Sequence, residues 1–121
     1  AQGTVRHLGY VKADILPVLF AGAAVFTYPS VYEGFGLPVL DAMSSGVPVI
    51  CRAQTSMAEF AQGACVLCDT GEPEELAHRL QSLLESQSLR DSWAQKGVRQ
   101  AANFSWERCA SETAEIYRQL M

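Results

Sequence analysis

The sequence predicts an α/β fold: the C-terminal part of a doubly wound, Rossmann-like domain, with about four parallel strands followed by C-terminal helices. Short apolar runs alternate with helical patterns, which is typical of parallel strands joined by crossover helices. After residue 72 only helical patterns remain. A doubly wound nucleotide-binding domain usually has about five or six strands. We therefore expect residues 1–121 to be a single domain whose front lies outside this chain.

The expected strands are apolar runs that end at turn-forming residues. Gly9 closes the first run and Pro29 closes the second. The four runs cover residues 4–8, 24–28, 47–51 and 65–68. Sheets of this kind bind ligands at the carboxyl ends of their strands. The second run leads directly into a glycine-rich loop, so this loop is the first candidate for a site.

The expected helices are indicated by apolar spacing and by their end signals. Pro38 in the first turn and Gly46 just past the end bound the helix that follows the glycine-rich loop. Ser56-x-x-Glu59 matches a capping box, in which the Ser and Glu side chains satisfy the first amides of a short helix. The other helical patterns cover residues 13–21, 73–85 and 89–102, and a last helix begins after Ser105.

Length and charge limit the class of function. A chain of 121 residues forms one domain at most. Nine Lys and Arg against thirteen Asp and Glu give a net charge of −4, which argues against nucleic acid or an anionic membrane as a partner. The longest apolar stretch, residues 15–26, is interrupted by Pro17 and Gly22 and is shorter than the ~20 residues of a membrane span.

Four cysteines, Cys51, Cys65, Cys68 and Cys109, are expected to be buried free thiols with structural roles. Cys65 and Cys68 form a C-x-x-C, which could indicate redox chemistry or half a zinc site. They lie in an expected strand, however, where residues three apart point to opposite faces, and the sequence offers no second pair. We therefore expect no metal site and a reducing, cytoplasmic location.

The stretch YPSVYEGFGLPVLDAM carries the candidate chemistry. Gly34 and Gly36 let the backbone turn tightly, and the helix N-terminus that follows attracts anions through its free amides and dipole. Glu33 before the helix and Asp41 in its second turn could flank one anion pocket and accept hydrogen bonds from sugar hydroxyls. Alternatively, Glu33 completes a Ser30-x-x-Glu33 cap, and the spacing leaves both interpretations open. The loop has neither a dinucleotide fingerprint nor a P-loop motif.

Three segments of the chain together resemble one family. HLGYV, AVFTYPSVYEGFGLPVLDAMSSGVPVI and FSWE occur in this order and are similar to the C-terminal domain of the family-4 retaining glycosyltransferases, which have the GT-B fold. The resemblance implies an enzyme that moves a hexose from a nucleoside diphosphate sugar to an acceptor and keeps the anomeric configuration. It also implies no cofactor or metal, and an acceptor-binding N-terminal domain that lies outside this chain.

The resemblance also assigns roles to single residues. Glu33 matches the glutamate that usually contacts the transferred sugar, which makes it the catalytic candidate. Asp41 matches the position that usually holds the ribose, where Glu is commoner; Asp keeps the charge but is shorter by one methylene, about 1.5 Å. The other donor-binding candidates fall into two groups. The loop amides that match the segment around the sugar and diphosphate are those of Gly34, Phe35, Gly36 and Leu37. The residues that match the stretch lining the base are Tyr10 and Val11.

Several interpretations stay open beside this one. Glu59 matches a family glutamate, although Ala58 replaces the proline that often precedes it, and we interpret Glu59 as a helix cap first and a ligand contact second. The family's basic residues for the diphosphate lie outside this chain, which alone should transfer nothing. Other functions are a nucleotide-sugar-binding module without chemistry, or another GT-B enzyme such as an epimerase or a phosphorylase. The exposed edge of a truncated sheet would favour self-association.

Overall fold

The computed structural model describes residues 4–69 and 72–121. Helices and strands alternate through the first half of these residues, and helices alone follow. In chain order the elements are α1 (Leu16–Gly22), β1 (Phe26–Tyr28), α2 (Leu37–Ser44), β2 (Val49–Arg52), α3 (Met57–Ala61), β3 (Val66–Cys68), α4 (Pro73–Glu85), α5 (Gln87–Ala101) and α6 (Trp106–Leu120).

The three strands form one parallel sheet in the order β1-β2-β3. Tyr28 is paired with Cys51 in the first ladder, and Cys51 is paired with Leu67 in the second. β2 is the central strand, and Val49 and Ile50 are buried. Because all three strands run in the same direction, the loops after β1 and β2 leave the sheet at the same edge, side by side.

The first expected strand, residues 4–8, is not a strand. Val5 and Leu8 are 86% and 56% exposed. A strand needs a neighbouring backbone to pair with, and β1, β2 and β3 are the only strands in the described part of the chain. The expectation of about four strands is therefore corrected to three. An apolar run is a weak signal for a strand because β-propensity reflects packing against neighbours more than the backbone itself.

The helix boundaries mostly follow the sequence signals, although α1 begins at Leu16, three residues later than expected. α2 begins at Leu37, and Gly46 lies two residues past its end with a φ of +75°. α5 begins two residues earlier than expected, because the Ser86 hydroxyl accepts a hydrogen bond from the amide of Leu89 at 3.2 Å. Ser105 caps α6 in the same way through the amide of Arg108.

α2 is fixed on the sheet by a fully buried face. Val39, Ala42 and Met43 have no exposed surface. α5 passes close to this face at Gly97, where an added Cβ would lie 3.4 Å from Cγ of Met43, so glycine allows the two helices to approach closely. The N-terminus of α2 is thereby held at the carboxyl edge of the sheet.

α6 makes the loosest contacts of the long helices. None of its residues is buried, and Trp106, Ile116 and Leu120 are exposed on its apolar side. Cys109 is also exposed, which corrects the expectation that all four cysteines are buried. Within the described residues, no helix is both long and apolar enough to cross a bilayer.

Candidate functional site

A cleft of about 500 Å³ lies between the loop after β1 and the loop after β2. Residues 31–33 line it from the first loop, and residues 53–56 with Glu59 line it from the second. The parallel pairing of β1 with β2 brings the two loops together. The cleft thus occupies the carboxyl edge of the sheet, where α/β sheets bind ligands.

Glu33 is held in this cleft by two hydroxyl groups. The Ser30 hydroxyl donates to Oε1 of Glu33 at 2.7 Å, and the Tyr28 hydroxyl donates to the same oxygen at 2.8 Å. The bonds from Ser30 and Tyr28 stabilise the anion and lower the pKa of Glu33 below its ordinary value. The hydrogen bond between Tyr28 and Glu33, together with partial burial, raises the pKa of Tyr28. Glu33 is therefore an ionised hydrogen-bond acceptor at neutral pH.

Ser56 holds the backbone of the same residue. Its hydroxyl donates to the main-chain oxygen of Glu33 at 2.8 Å, across 23 residues of sequence. The capping box predicted for Ser56 and Glu59 is wrong. Ser56 has helical backbone angles and its side chain makes no cap hydrogen bond, because the hydroxyl is committed to Glu33. Within the described residues, the Glu59 carboxylate makes no hydrogen bond or ion pair, and it lies free on the cleft wall.

The interpretation of Glu33 as a helix cap is not supported either. Ser30 and Glu33 do interact, but through their side chains, and the next helix begins only at Leu37. The pair therefore closes a loop and leaves the amides of a helix untouched.

Gly36 turns the loop into α2. It has a φ of +99°, and an added Cβ would lie 2.5 Å from Cγ of Met57. Both the backbone angle and the space therefore require glycine here. Gly34 is open, with nothing within 4 Å of an added Cβ. Within the described residues, the amides of residues 34–36 donate no hydrogen bond to the protein, which leaves them free for an anion in front of the helix N-terminus.

The side chain of Phe35 anchors the loop. Its ring stacks on Phe60 of α3, with centroids 4.7 Å apart, and meets Phe104 edge-on at 6.0 Å. Phe60 and Phe104 are also in edge contact at 5.8 Å. Sequence reasoning gave Phe35 a role only through its amide and missed the ring cluster; the aromatic residues at Phe60 and in FSWE were the only sequence signal for it.

Asp41 lies on another surface. It lines a groove of about 880 Å³ between α2 and α6, together with Leu37 and Phe35 on one side and Trp106 and Ile116 on the other. No described residue lines both this groove and the cleft that Glu33 lines. A single pocket shared by the two carboxylates stays a prediction.

Tyr10 and Val11 line neither of these two concavities. Tyr10 is 91% exposed and Val11 is half-buried. Their expected contact with the base also stays a prediction.

The four cysteines are free thiols. Cys51, Cys65 and Cys68 are buried free thiols, and the hydrogen bond to Cys51, together with burial, raises the pKa of Cys65. A buried thiol whose pKa is raised is unreactive. Within the described residues, no group of three His, Cys, Asp or Glu side chains is placed to hold a metal ion.

Comparison with known proteins identifies relatives. Residues 1–100 match the family described as glycosyl transferases group 1. O-antigen chain mannosyltransferase B from Escherichia coli is 46% identical over 120 residues, covering 98% of this chain and 31% of the relative. D-inositol 3-phosphate glycosyltransferase from Salinispora arenicola is 37% identical over 116 residues, covering 94% of this chain and 26% of the relative. The chain thus spans a third or less of the length of these relatives.

A solved structure has the same fold. Sucrose-phosphate synthase from Thermosynechococcus elongatus matches with a TM-score of 0.87 and 28% sequence identity, over 96% of this chain and 30% of that one. The predicted Rossmann-like α/β fold of the GT-B type is confirmed by this match.

Proposed function

Because the chain belongs to the group 1 glycosyl transferases, we propose that it is the donor-binding part of an enzyme that transfers a hexose. The donor is a nucleoside diphosphate sugar, and the transfer keeps the anomeric configuration, as in the family-4 retaining enzymes. The observation that carries this proposal is the ionised, doubly hydrogen-bonded Glu33 at the carboxyl edge of the sheet. It lies beside loop amides that donate no hydrogen bond within the described part of the chain.

The roles divide between a carboxylate and a set of amides. Glu33 accepts a hydrogen bond from a hydroxyl of the hexose, because an ionised carboxylate is an acceptor only. The amides of residues 34–37 face the diphosphate at the N-terminus of α2, where the helix dipole also favours negative charge. As the bond from the sugar to the phosphate breaks, charge grows on the leaving phosphate, and these fixed donors stabilise it.

The nucleoside is held elsewhere on the chain. Asp41 accepts hydrogen bonds from the ribose hydroxyls, and Tyr10 and Val11 contact the base. Acceptor binding, and the basic groups that neutralise the diphosphate, belong to the remaining two thirds of the enzyme, since the chain covers 31% of its Escherichia coli relative. The proposed transfer uses no metal or other cofactor. The three buried free thiols fit a reducing, cytoplasmic site of action.

The test is the kinetics of Glu33→Ala in a full-length enzyme that carries this sequence. If Glu33 binds the sugar most tightly in the transition state, the substitution lowers kcat more than it raises the donor KM. Ser82→Ala in α4 is the matched control, because it removes a hydroxyl that, among the described residues, bonds only the carbonyl of His78. Unchanged kinetics in Glu33→Ala would end the catalytic assignment, and NMR of the product anomer tests retention directly.

A further inference from the structure

From the hydrogen bonds around Glu33 we infer that Tyr28, Ser30 and Ser56 are positioning residues. They fix this carboxylate so that Oε1 is occupied by the protein and Oε2 is the oxygen offered to the hexose. This inference rests on the proposed function, because it names how the sugar-binding carboxylate is oriented.

The two carboxylate oxygens have different surroundings. Oε1 receives the hydroxyls of Ser30 and Tyr28 at 2.7 and 2.8 Å. Each carboxylate oxygen accepts about two hydrogen bonds, so Oε1 is filled. Within the described residues, Oε2 accepts none. The Ser30 hydroxyl also lies 3.1 Å from the carbonyl of Tyr32, but its one hydrogen points to the closer, charged oxygen because charge-assisted bonds are the stronger ones.

The donors are themselves held in place. Tyr28 ends β1, where its backbone is paired with Cys51 of β2, and its ring stacks on Phe26 with centroids 5.9 Å apart. Ser56 comes from the β2–α3 loop and bonds the main-chain oxygen of Glu33 at 2.8 Å. The side chain of Glu33 is thus fixed from β1 and its backbone is fixed from the opposite wall of the cleft.

This arrangement removes the freedom that a surface glutamate otherwise has. A long side chain loses rotamer entropy when it is ordered, and here the protein orders it before the donor arrives. A preorganised acceptor needs no rearrangement as the bond to the phosphate breaks. Loss of one hydroxyl should therefore affect kcat more than the donor KM.

The first arm of the test measures the hydrogen bonds from Tyr28 and Ser30 to Glu33, in a full-length enzyme that carries this sequence and without donor. The carboxyl carbon of Glu33 is followed by NMR through an acid titration. Tyr28→Phe and Ser30→Ala each raise the pKa of Glu33 toward its ordinary value of 4.5, and Ser30→Thr, which keeps the hydroxyl, restores the low value. Tyr32→Phe is the matched control, because Tyr32 belongs to the same loop and its hydroxyl bonds nothing among the described residues. The other titratable groups that line the cleft are Tyr32, which changes only in the control, and Glu59, which is common to all these variants.

The second arm measures steady-state kinetics in a full-length enzyme that carries this sequence. Tyr28→Phe, Ser30→Ala and Ser56→Ala are each expected to lower kcat roughly ten-fold, with a smaller change in the donor KM, and Ser56→Thr recovers most of the loss. Circular dichroism confirms that each variant is folded. If Tyr28→Phe does not fold, the pair Ser30→Ala and Ser30→Thr carries the test, because Ser30 lies in a loop.

The outcomes separate this inference from the proposed function. An unchanged pKa of Glu33 in Tyr28→Phe and Ser30→Ala overturns the inference that these hydroxyls hold the carboxylate, whatever the kinetics of the variants. A shifted pKa with unchanged kinetics in these variants, while Glu33→Ala is impaired, overturns the positioning role and leaves the proposed function standing. Unimpaired Glu33→Ala overturns the proposed function itself.

Discussion

At the scale of single residues, the chemistry of this chain depends on how its carboxylates are surrounded. Glu33 has two hydroxyl donors and lies between two loops. Asp41 is exposed and lines the groove between α2 and α6, and its carboxylate makes no hydrogen bond within the described residues. Substitution of these two acids should therefore have different effects on the kinetics of the enzyme.

For Asp41 we expect an effect on binding. The ribose does not change during transfer, so Asp41→Ala in a full-length enzyme should mainly raise the donor KM and weaken binding of the free nucleoside diphosphate. Loss of a charged partner for a hydroxyl costs about 1.5–3 kcal/mol, or roughly ten- to a hundredfold. Asp41→Glu should keep most of the activity. A donor KM that stays unchanged in Asp41→Ala, measured beside a nucleoside diphosphate titration, would remove the ribose assignment.

Gly36 is constrained both by its backbone angle and by the side chain that lies against it. Its φ of +99° and the 2.5 Å contact of an added Cβ with Met57 mean that Gly36→Ala must strain the backbone and displace a buried side chain. We expect the free energy of unfolding to fall by about 1–3 kcal/mol. Gly34→Ala is the control, because an added Cβ there meets nothing within 4 Å. Thermal melts that show equal stability for the two variants would contradict this account.

At the scale of elements, the glycine-rich loop, α3 and the segment that precedes α6 are joined by three aromatic rings. Phe35, Phe60 and Phe104 are mutually in contact. Met57, one turn before Phe60, lies under Gly36. The glycine-rich loop is therefore packed against α3 and against the segment that precedes α6.

Removal of Phe104 should loosen this unit. Phe104→Ala deletes two edge contacts, and we expect it to lower the free energy of unfolding by about 1–3 kcal/mol and to speed amide hydrogen exchange in residues 34–37. Trp106→Ala is the matched control, since Trp106 is 75% exposed and surface substitutions usually change stability by less than about 0.5 kcal/mol. If exchange in the loop is the same in both variants, the rings do not support the loop.

The elements also show where local signals are sufficient. Pro38 and Gly46 bound α2 as the sequence predicts, because helix ends are set by residues within the helix and next to it. Ser56 and Glu59 have the spacing of a capping box, but the hydroxyl bonds Glu33 instead. A side chain forms its most favourable bond among all the partners within reach in the folded chain. A pattern of four residues includes only partners that are close in sequence.

At the scale of the whole molecule, the chain has exposed apolar side chains and unpaired strand edges that favour contact with another protein surface. The exposed apolar side chains of α6 include Ile116, Tyr117 and Leu120, and the outer edges of β1 and β3 are unpaired among the described strands. Exposed apolar patches and open strand edges favour association. In a full-length enzyme the proposed acceptor domain would be available to cover such surfaces.

The isolated 121-residue chain should therefore self-associate. In sedimentation runs over a range of concentrations we expect oligomers at high concentration, and we expect Ile116→Asp to shift them toward monomer because a charge in an apolar contact is costly. Arg118→Asp is the control on the same helix, since Arg118 bonds only Glu115 within the described residues. A chain that stays monomeric at every concentration would contradict the prediction.

The sequence by itself determined the α/β class, the boundaries of α2, the glycine-rich loop at the carboxyl edge of the sheet and the resemblance to glycosyltransferases. These properties follow from short-range patterns: apolar spacing, helix end signals and one continuous motif. Only the tertiary structure decided that residues 4–8 form no strand, that Ser56 bonds Glu33 across 23 residues, and that Phe35 stacks on Phe60. Each of these depends on which backbone or side chain from a distant part of the chain lies alongside, and that partner is fixed only when the sheet and its helices have packed together.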